Sequence, residues 1–100
     1  MIPLLIFKDE ARDDVLKAAE WYGEKQTGLN EKFLTAIEEA IERILKHPTD
    51  GRIVYKSYRE IPVKKFPYLI VYEIFLHSIV IYMIFHTRQN PKKKFKRLKK

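Results

Sequence analysis

The sequence predicts an α+β fold: a small, antiparallel-dominated sheet with an N-terminal helix hairpin packed on one face, in the order β-α-α-β-β-β. Three observations predict it. Residues 9–47 carry apolar side chains at helical spacing, residues 52–86 carry β-branched and aromatic runs broken by turn residues, and a short apolar run precedes the helices. A chain of 100 residues supports one domain, assigned to residues 1–91, followed by a basic C-terminal tail at 92–100.

Pro3 to Lys8, PLLIFK, reads as the first strand. Its start, MIPLLIFKDE, turns acidic without a cleavage pattern and reads as structure rather than a targeting segment. Asp9 is expected to cap the first helix, with Glu10 in its first turn. Ala11, Val15, Ala18 and Tyr22 form the apolar stripe, and Gly28 is placed to stop the helix. Asn30 is the cap expected for the second helix. Its core face runs through Phe33, Ile37, Ile41 and Ile44, and Pro48 sets its end near Lys46 or His47. The short link makes the helices an antiparallel hairpin whose joint apolar face needs a sheet.

Asp50-Gly51 marks a turn into the strand segments. These are Arg52–Lys56, Arg59–Phe66, Tyr68–Phe75 and Ser78–His86, with Leu76-His77 as the last turn. Pro62 argues for an edge or an irregularity in the second of them. Residues 68–85 approach the length of a membrane helix, but Glu73, His77 and Ser78 interrupt them and β-formers dominate. Two strands and a turn are expected, with no membrane. Strict alternation would place Ile79, Ile81, Met83 and Phe85 on one face, and Val80, Tyr82 and Ile84 on the other. The helix hairpin can cover only one of these, so a partner segment is expected over part of the other.

Charge divides the chain. Residues 1–50 hold 7 basic and 11 acidic side chains, a formal −4; residues 51–100 hold 13 and 2, a formal +11. Eight of the basic groups lie at or beyond Arg88. Such an end suits a polyanion or an acidic protein, and also serves as a solubilising tail. The absence of cysteine excludes disulfides, thiolate nucleophiles and thiolate metal sites. The sequence holds no phosphate-loop, dinucleotide or HExxH motif, so neither cofactor nor metal is expected.

The candidate chemistry lies in strand-end polar groups. His86 and Arg88 are two apart and share a face if the strand continues. Arg59, Lys64 and Lys65 form a second basic group, with Arg59 and Lys65 on one parity of an unbroken strand. Brought together, these cations could hold a phosphate; apart, they are a solvated edge that discourages pairing. Tyr68, Tyr72 and Tyr82 could stack bases, or pack across strands. Glu73 is a charge inside an apolar strand, placed to pair with a basic neighbour or line a groove.

The segments EARDDVLKAAEWY, GLNEKFLTAIEEAIERILKHP, YREIPVKKFPYLIVYEI and VIYMIFHTRQNP, in this order, resemble the RelE/ParE toxin superfamily. Arg59, Phe66-Pro67-Tyr68, Tyr72 and His86-x-Arg88 bring the resemblance closer to the ParE-like branch. The resemblance implies a cytoplasmic bacterial toxin encoded with a cognate antitoxin, acting on DNA gyrase and able to self-associate within the antitoxin complex. The alternative it implies is a metal-independent endoribonuclease that meets mRNA on the ribosome. In that case Arg59, His86 and Arg88 would be catalytic, with His86 moving protons and the arginines stabilising phosphate charge. On either reading, binding is expected to involve Lys64, Lys65, Tyr68, Tyr72 and Tyr82, together with Lys92, Lys93, Lys94, Lys96 and Arg97 of the basic tail that reaches Lys100.

Overall fold

A computed structural model describes residues 3–99. Strand β1 (Leu4–Phe7) leads into α1 (Asp9–Lys25) and α2 (Leu29–Lys46). A 3-10 turn at Pro48–Asp50 precedes β2 (Arg52–Tyr55), β3 (Tyr58–Pro62), β4 (Tyr68–Ile74) and β5 (Ser78–His86), and α3 (Pro91–Leu98) follows. The sheet order is β1-β5-β4-β3-β2. β1 joins β5 in parallel and the other pairs are antiparallel. Residues 68–85 are thus two strands, and no helix among the described residues is long and apolar enough to cross a membrane.

The helix ends differ in detail from expectation. Lys8 occupies the N-cap of α1 without a side-chain bond, and Asp9 and Glu10 lie in the first turn, where their charge complements the helix dipole. Gly28 does not terminate α1, which stops at Lys25. It adopts φ 84° at the N-cap of α2, so the reversal of the chain falls on the residue without a Cβ and Asn30 is already inside the helix.

The hairpin packs Ala11, Val15, Ala18, Tyr22, Phe33, Ile37, Ala40 and Ile44 against Ile61, Ile70, Tyr72, Ile79, Ile81 and Ile84 of the sheet. Ile41 is only partly buried, and Ala40 and Ile44 fill the closest positions. Tyr22, Phe33, Phe66 and Tyr68 close one end as an aromatic cluster with ring centroids 5.0–6.3 Å apart, edge-to-face except for the tilted Tyr22–Phe33 pair.

Strict alternation fails in β5. Val71 faces Met83 while the next residue, Tyr72, faces Ile81, so Tyr82 is an inserted residue. This bulge reverses the parity beyond it. Ile84 joins the helix-side core, whereas Met83 and Phe85 pack with Val71 on the opposite face. There Leu98 of α3 covers them. β3 also ends earlier than predicted, at Pro62, beyond the reach of β2. Lys64 and Lys65 therefore sit in the β3–β4 turn, Lys65 at φ 70°, and share no strand parity with Arg59.

Candidate functional site

His86 ends β5 opposite Tyr68, its ring 4.9 Å from the tyrosine ring in an edge-to-face contact. The Arg88 backbone N–H donates to His86 Nδ1 at 3.0 Å. Nδ1 is thereby the acceptor, and the neutral ring carries its proton on Nε2. Burial, together with the neighbouring Tyr22, pushes the Tyr68 hydroxyl up to about 12. It remains a neutral donor across the physiological range.

Asp14, Lys17 and Trp21 of α1 complete a cleft with Tyr68, His86, Gln89 and Arg97. Asp14 Oδ2 accepts the Ile84 N–H at 3.0 Å and an Arg97 guanidinium N–H at 2.9 Å. One carboxylate therefore ties α1, β5 and α3 together. Arg97 also lies 3.6 Å from Glu10. Trp21 stays 53% exposed with the Lys25 ammonium 5.1 Å over its ring, an open aromatic surface at the mouth of the cleft. The arrangement can receive an anionic or aromatic group against a rigid Tyr–His wall.

Arg59 lies elsewhere. It pairs with Tyr72, four residues along β4 from Tyr68, an offset of roughly 13 Å at strand rise. Its guanidinium donates to the Thr49 carbonyl at 3.0 Å and the Gly51 carbonyl at 2.8 Å. The Tyr72 hydroxyl donates to the Pro48 carbonyl at 2.6 Å and accepts the Gly51 N–H at 3.2 Å. Both side chains clasp the turn into β2. Burial pushes the Tyr72 hydroxyl up, which keeps it protonated for this role.

Tyr82 and Glu73 belong to the second face. Tyr82 donates to Glu73 Oε1 at 2.9 Å, and Ser57 Oγ bonds the other oxygen. Glu73 is thus held by hydroxyls rather than by a basic strand. Burial, then the Glu73 contact, raises the Tyr82 pKa.

The basic end is sorted by α3. Lys94 is 7% exposed, and its ammonium reaches Glu60 Oε2 at 2.8 Å. Arg97 turns to the cleft, whereas Lys92, Lys93 and Lys96 are exposed. Lys64 and Lys65 line a shallow groove beside the start of α2. Lys100 lies outside the described residues. The structure thus brings Tyr68, His86 and Arg97 to one cleft and sets Arg59 and Tyr72 apart from it along the sheet. Arg97 also lines a second pocket with Tyr82, and Lys64 and Lys65 lie in the β3–β4 turn that leads into Tyr68. Among the described residues no group of three or more His, Asp or Glu could hold a metal.

Asp14, Lys17 and Trp21 were missed by the sequence reading. Their signal is a polar and aromatic stripe at i, i+3 and i+7, directly beside the apolar stripe of α1.

A helix hairpin on one face of a five-stranded sheet, a short basic helix on the other, and a cleft lined from both define a small α+β protein with a cationic end. The family model described as ParE toxin of type II toxin-antitoxin system, parDE, matches residues 5–91, and the chain belongs to that family. A solved structure titled "Chromosomal ParDE TA system from P. aeruginosa" shares the fold with a TM-score of 0.70. The match covers 87% of this chain and 98% of that one, at 17% identity. No curated protein matches.

Proposed function

We propose that the protein is the toxin of a toxin–antitoxin pair, that it inhibits DNA gyrase by binding, and that a cognate antitoxin neutralises it. The observation that carries the binding mechanism is the separation of Arg59 from His86 and Arg88. General acid–base catalysis needs its groups within about 3 Å of the atoms they serve. Arg59 is instead spent on two backbone carbonyls, roughly 13 Å along the sheet from the histidine. The His86 cleft, with Arg88 and Arg97, is assigned to target contact, and Lys92, Lys93 and Lys96 to electrostatic support. mRNA cleavage on the ribosome is the second reading. It draws on the Nε2 proton of His86 beside Arg97.

The test runs a gyrase supercoiling assay beside a ribosome-supplemented cleavage assay, for wild type and for His86→Ala/Arg88→Ala. Both positions are at most half-buried, so the variant is expected to fold. Gyrase inhibition is expected to weaken at least tenfold, about 1.4 kcal/mol of binding, with no cleavage by either protein. Cleavage by wild type that disappears in the double variant would establish the ribonuclease reading instead.

For the antitoxin we assign the part of the second face that α3 leaves open, where Leu4 and Ile6 of β1 are 65% and 38% exposed. A bound segment is expected to raise hydrogen-exchange protection across β1 and residues 68–88. Unchanged protection there would remove this surface.

A further inference from the structure

The outer side of α3 carries a row of lysines that lies apart from the His86 cleft. Lys92, Lys96 and Lys99 recur at i, i+4 and i+7, which aligns them on one helix face. All three are exposed, and they line a shallow cleft with Tyr55 and Phe95. Lys56, also exposed, extends the row, its ammonium 5.3 Å over the Tyr55 ring. None of these four lysines has an acidic partner within 4.0 Å among the described residues. The contrast with the inner side is sharp. Lys94 and Arg97 are both consumed by acids of the body, Glu60 and Asp14.

The row is held rigidly. Asn90 caps the helix by accepting the Lys92 N–H, Pro91 opens its first turn, and Leu98 seats on Val71, Met83 and Phe85. From Lys92 to Lys99 the helix rises about 10 Å. A DNA duplex presents one charge per about 1.7 Å of axis, so several phosphates fall within the span of this row. The Tyr55 hydroxyl adds a neutral donor of the kind that contacts phosphate oxygens. The cleft is open, and its only other lining is the Tyr55 and Phe95 rings, so charge rather than an enclosing pocket dominates what it offers a ligand.

We infer that the outer face of α3, with Lys56 and Tyr55 of the β2 end, binds the phosphate backbone of duplex DNA without reading its sequence. This surface works independently of which macromolecule the His86 cleft engages. For a toxin acting on an enzyme that itself holds DNA, it would add contacts to the nucleic acid beside those to the protein.

The experiment is fluorescence anisotropy of the full chain with a labelled duplex of mixed sequence. Four lysine–phosphate contacts predict a log–log salt slope of about −3.6, so affinity should fall about a hundredfold between about 50 and about 200 mM salt. Lys92→Glu/Lys96→Glu is expected to weaken binding at least tenfold at about 50 mM salt and to flatten the slope by about 2. Lys32→Glu/Lys46→Glu, exposed on α2 across the sheet, changes net charge equally and is expected to weaken it less than about threefold. Equal losses in the two variants would make the attraction one of net charge and overturn the site. No binding at about 50 mM salt would leave the lysines a solubility device. Displacement by poly-glutamate at equal negative charge would reassign the surface to an acidic polypeptide.

Discussion

Lys94→Met is expected to destabilise the protein by about 3 kcal/mol, because it strands a carboxylate inside the second face. Glu60 is 4% exposed and takes one short bond from Lys94 and one from Arg52, each at 2.8 Å. Burial alone would push its pKa up. The hydrogen bonds and charges of Lys94 and Arg52 more than offset that and leave it below its ordinary value of 4.5. The pair's stabilisation is therefore complete above that value and is lost as pH falls through the lower, folded-state value. In Lys94→Met the carboxyl keeps only Arg52, whose side chain is 78% exposed and screened by water. Protonating it then relieves the penalty, so the deficit should shrink from neutral pH toward acid. Adding Glu60→Gln should recover most of the loss, since removing both charges of a buried pair is often nearly neutral. Urea unfolding of the single and double variants at two pH values reads all of this. A deficit below about 1 kcal/mol at neutral pH would mean that the pair behaves as a surface contact. The same pair bears on the proposed site. It fixes the helix that sends Arg97 into the cleft and turns the remaining lysines outward.

The helix hairpin was legible because periodicity along a continuous helix survives small errors in its ends. Ala11, Val15, Ala18, Tyr22, Phe33, Ile37 and Ile44 are all buried, although both caps fell one or two residues from expectation. β5 was less legible because a period of two does not tolerate insertion. One extra residue at Tyr82 sends Met83 and Phe85 to the opposite face from Ile81, and nothing local to IVIYMIF marks it. The basic run PKKKFKRLKK was hard to read for another reason. Its composition is that of a solvated segment, yet Lys94 and Leu98 at i, i+4 point inward together. The signal lay at the other end of the chain's charge ledger. The second half has only two acids, and both sit in strands, so each needed a partner. Glu60 found its partner in α3, and Glu73 found hydroxyls. Asn90-Pro91, a capping residue followed by proline, is the start signal for that helix. His86 was identifiable as the end of a strand, but β5 stops there and Arg88 lies in the turn beyond it, so the strand face expected to carry both does not form. Their distance from Arg59 was not legible, because it depends on register rather than on sequence spacing.

Gly51→Ala is expected to cost about 3 kcal/mol, although its backbone would accept any residue. Gly51 has φ −66°, so no left-handed strain is involved. The difficulty is space. A Cβ there would run into the Tyr72 hydroxyl and lie 2.8 Å from the carbon bearing it. Tyr72 is fully buried and cannot swing away without breaking its bonds to Pro48 and Gly51. Overpacking of about 1–3 kcal/mol then adds to a hydrogen bond worth about 1 kcal/mol. Gly28→Ala is the useful contrast: it has open space but φ 84°, so it should lose only about 1 kcal/mol, from backbone conformation alone. Tyr72→Phe should cost about 1–2 kcal/mol by leaving the Gly51 N–H and the Pro48 carbonyl without their partner. Combined with Gly51→Ala, it should cost less than the sum, because the collision with the hydroxyl is gone. Urea melts of the four variants test the set, and wild-type stability in Gly51→Ala would refute the tight junction. Arg59 enters the same balance, since it grips the Gly51 carbonyl from the other side. If its role is to clasp this turn, Arg59→Ala and Gly51→Ala will lose the proposed gyrase inhibition in proportion to lost stability. Inhibition lost in Arg59→Ala with stability retained would instead make the guanidinium a direct contact with the target.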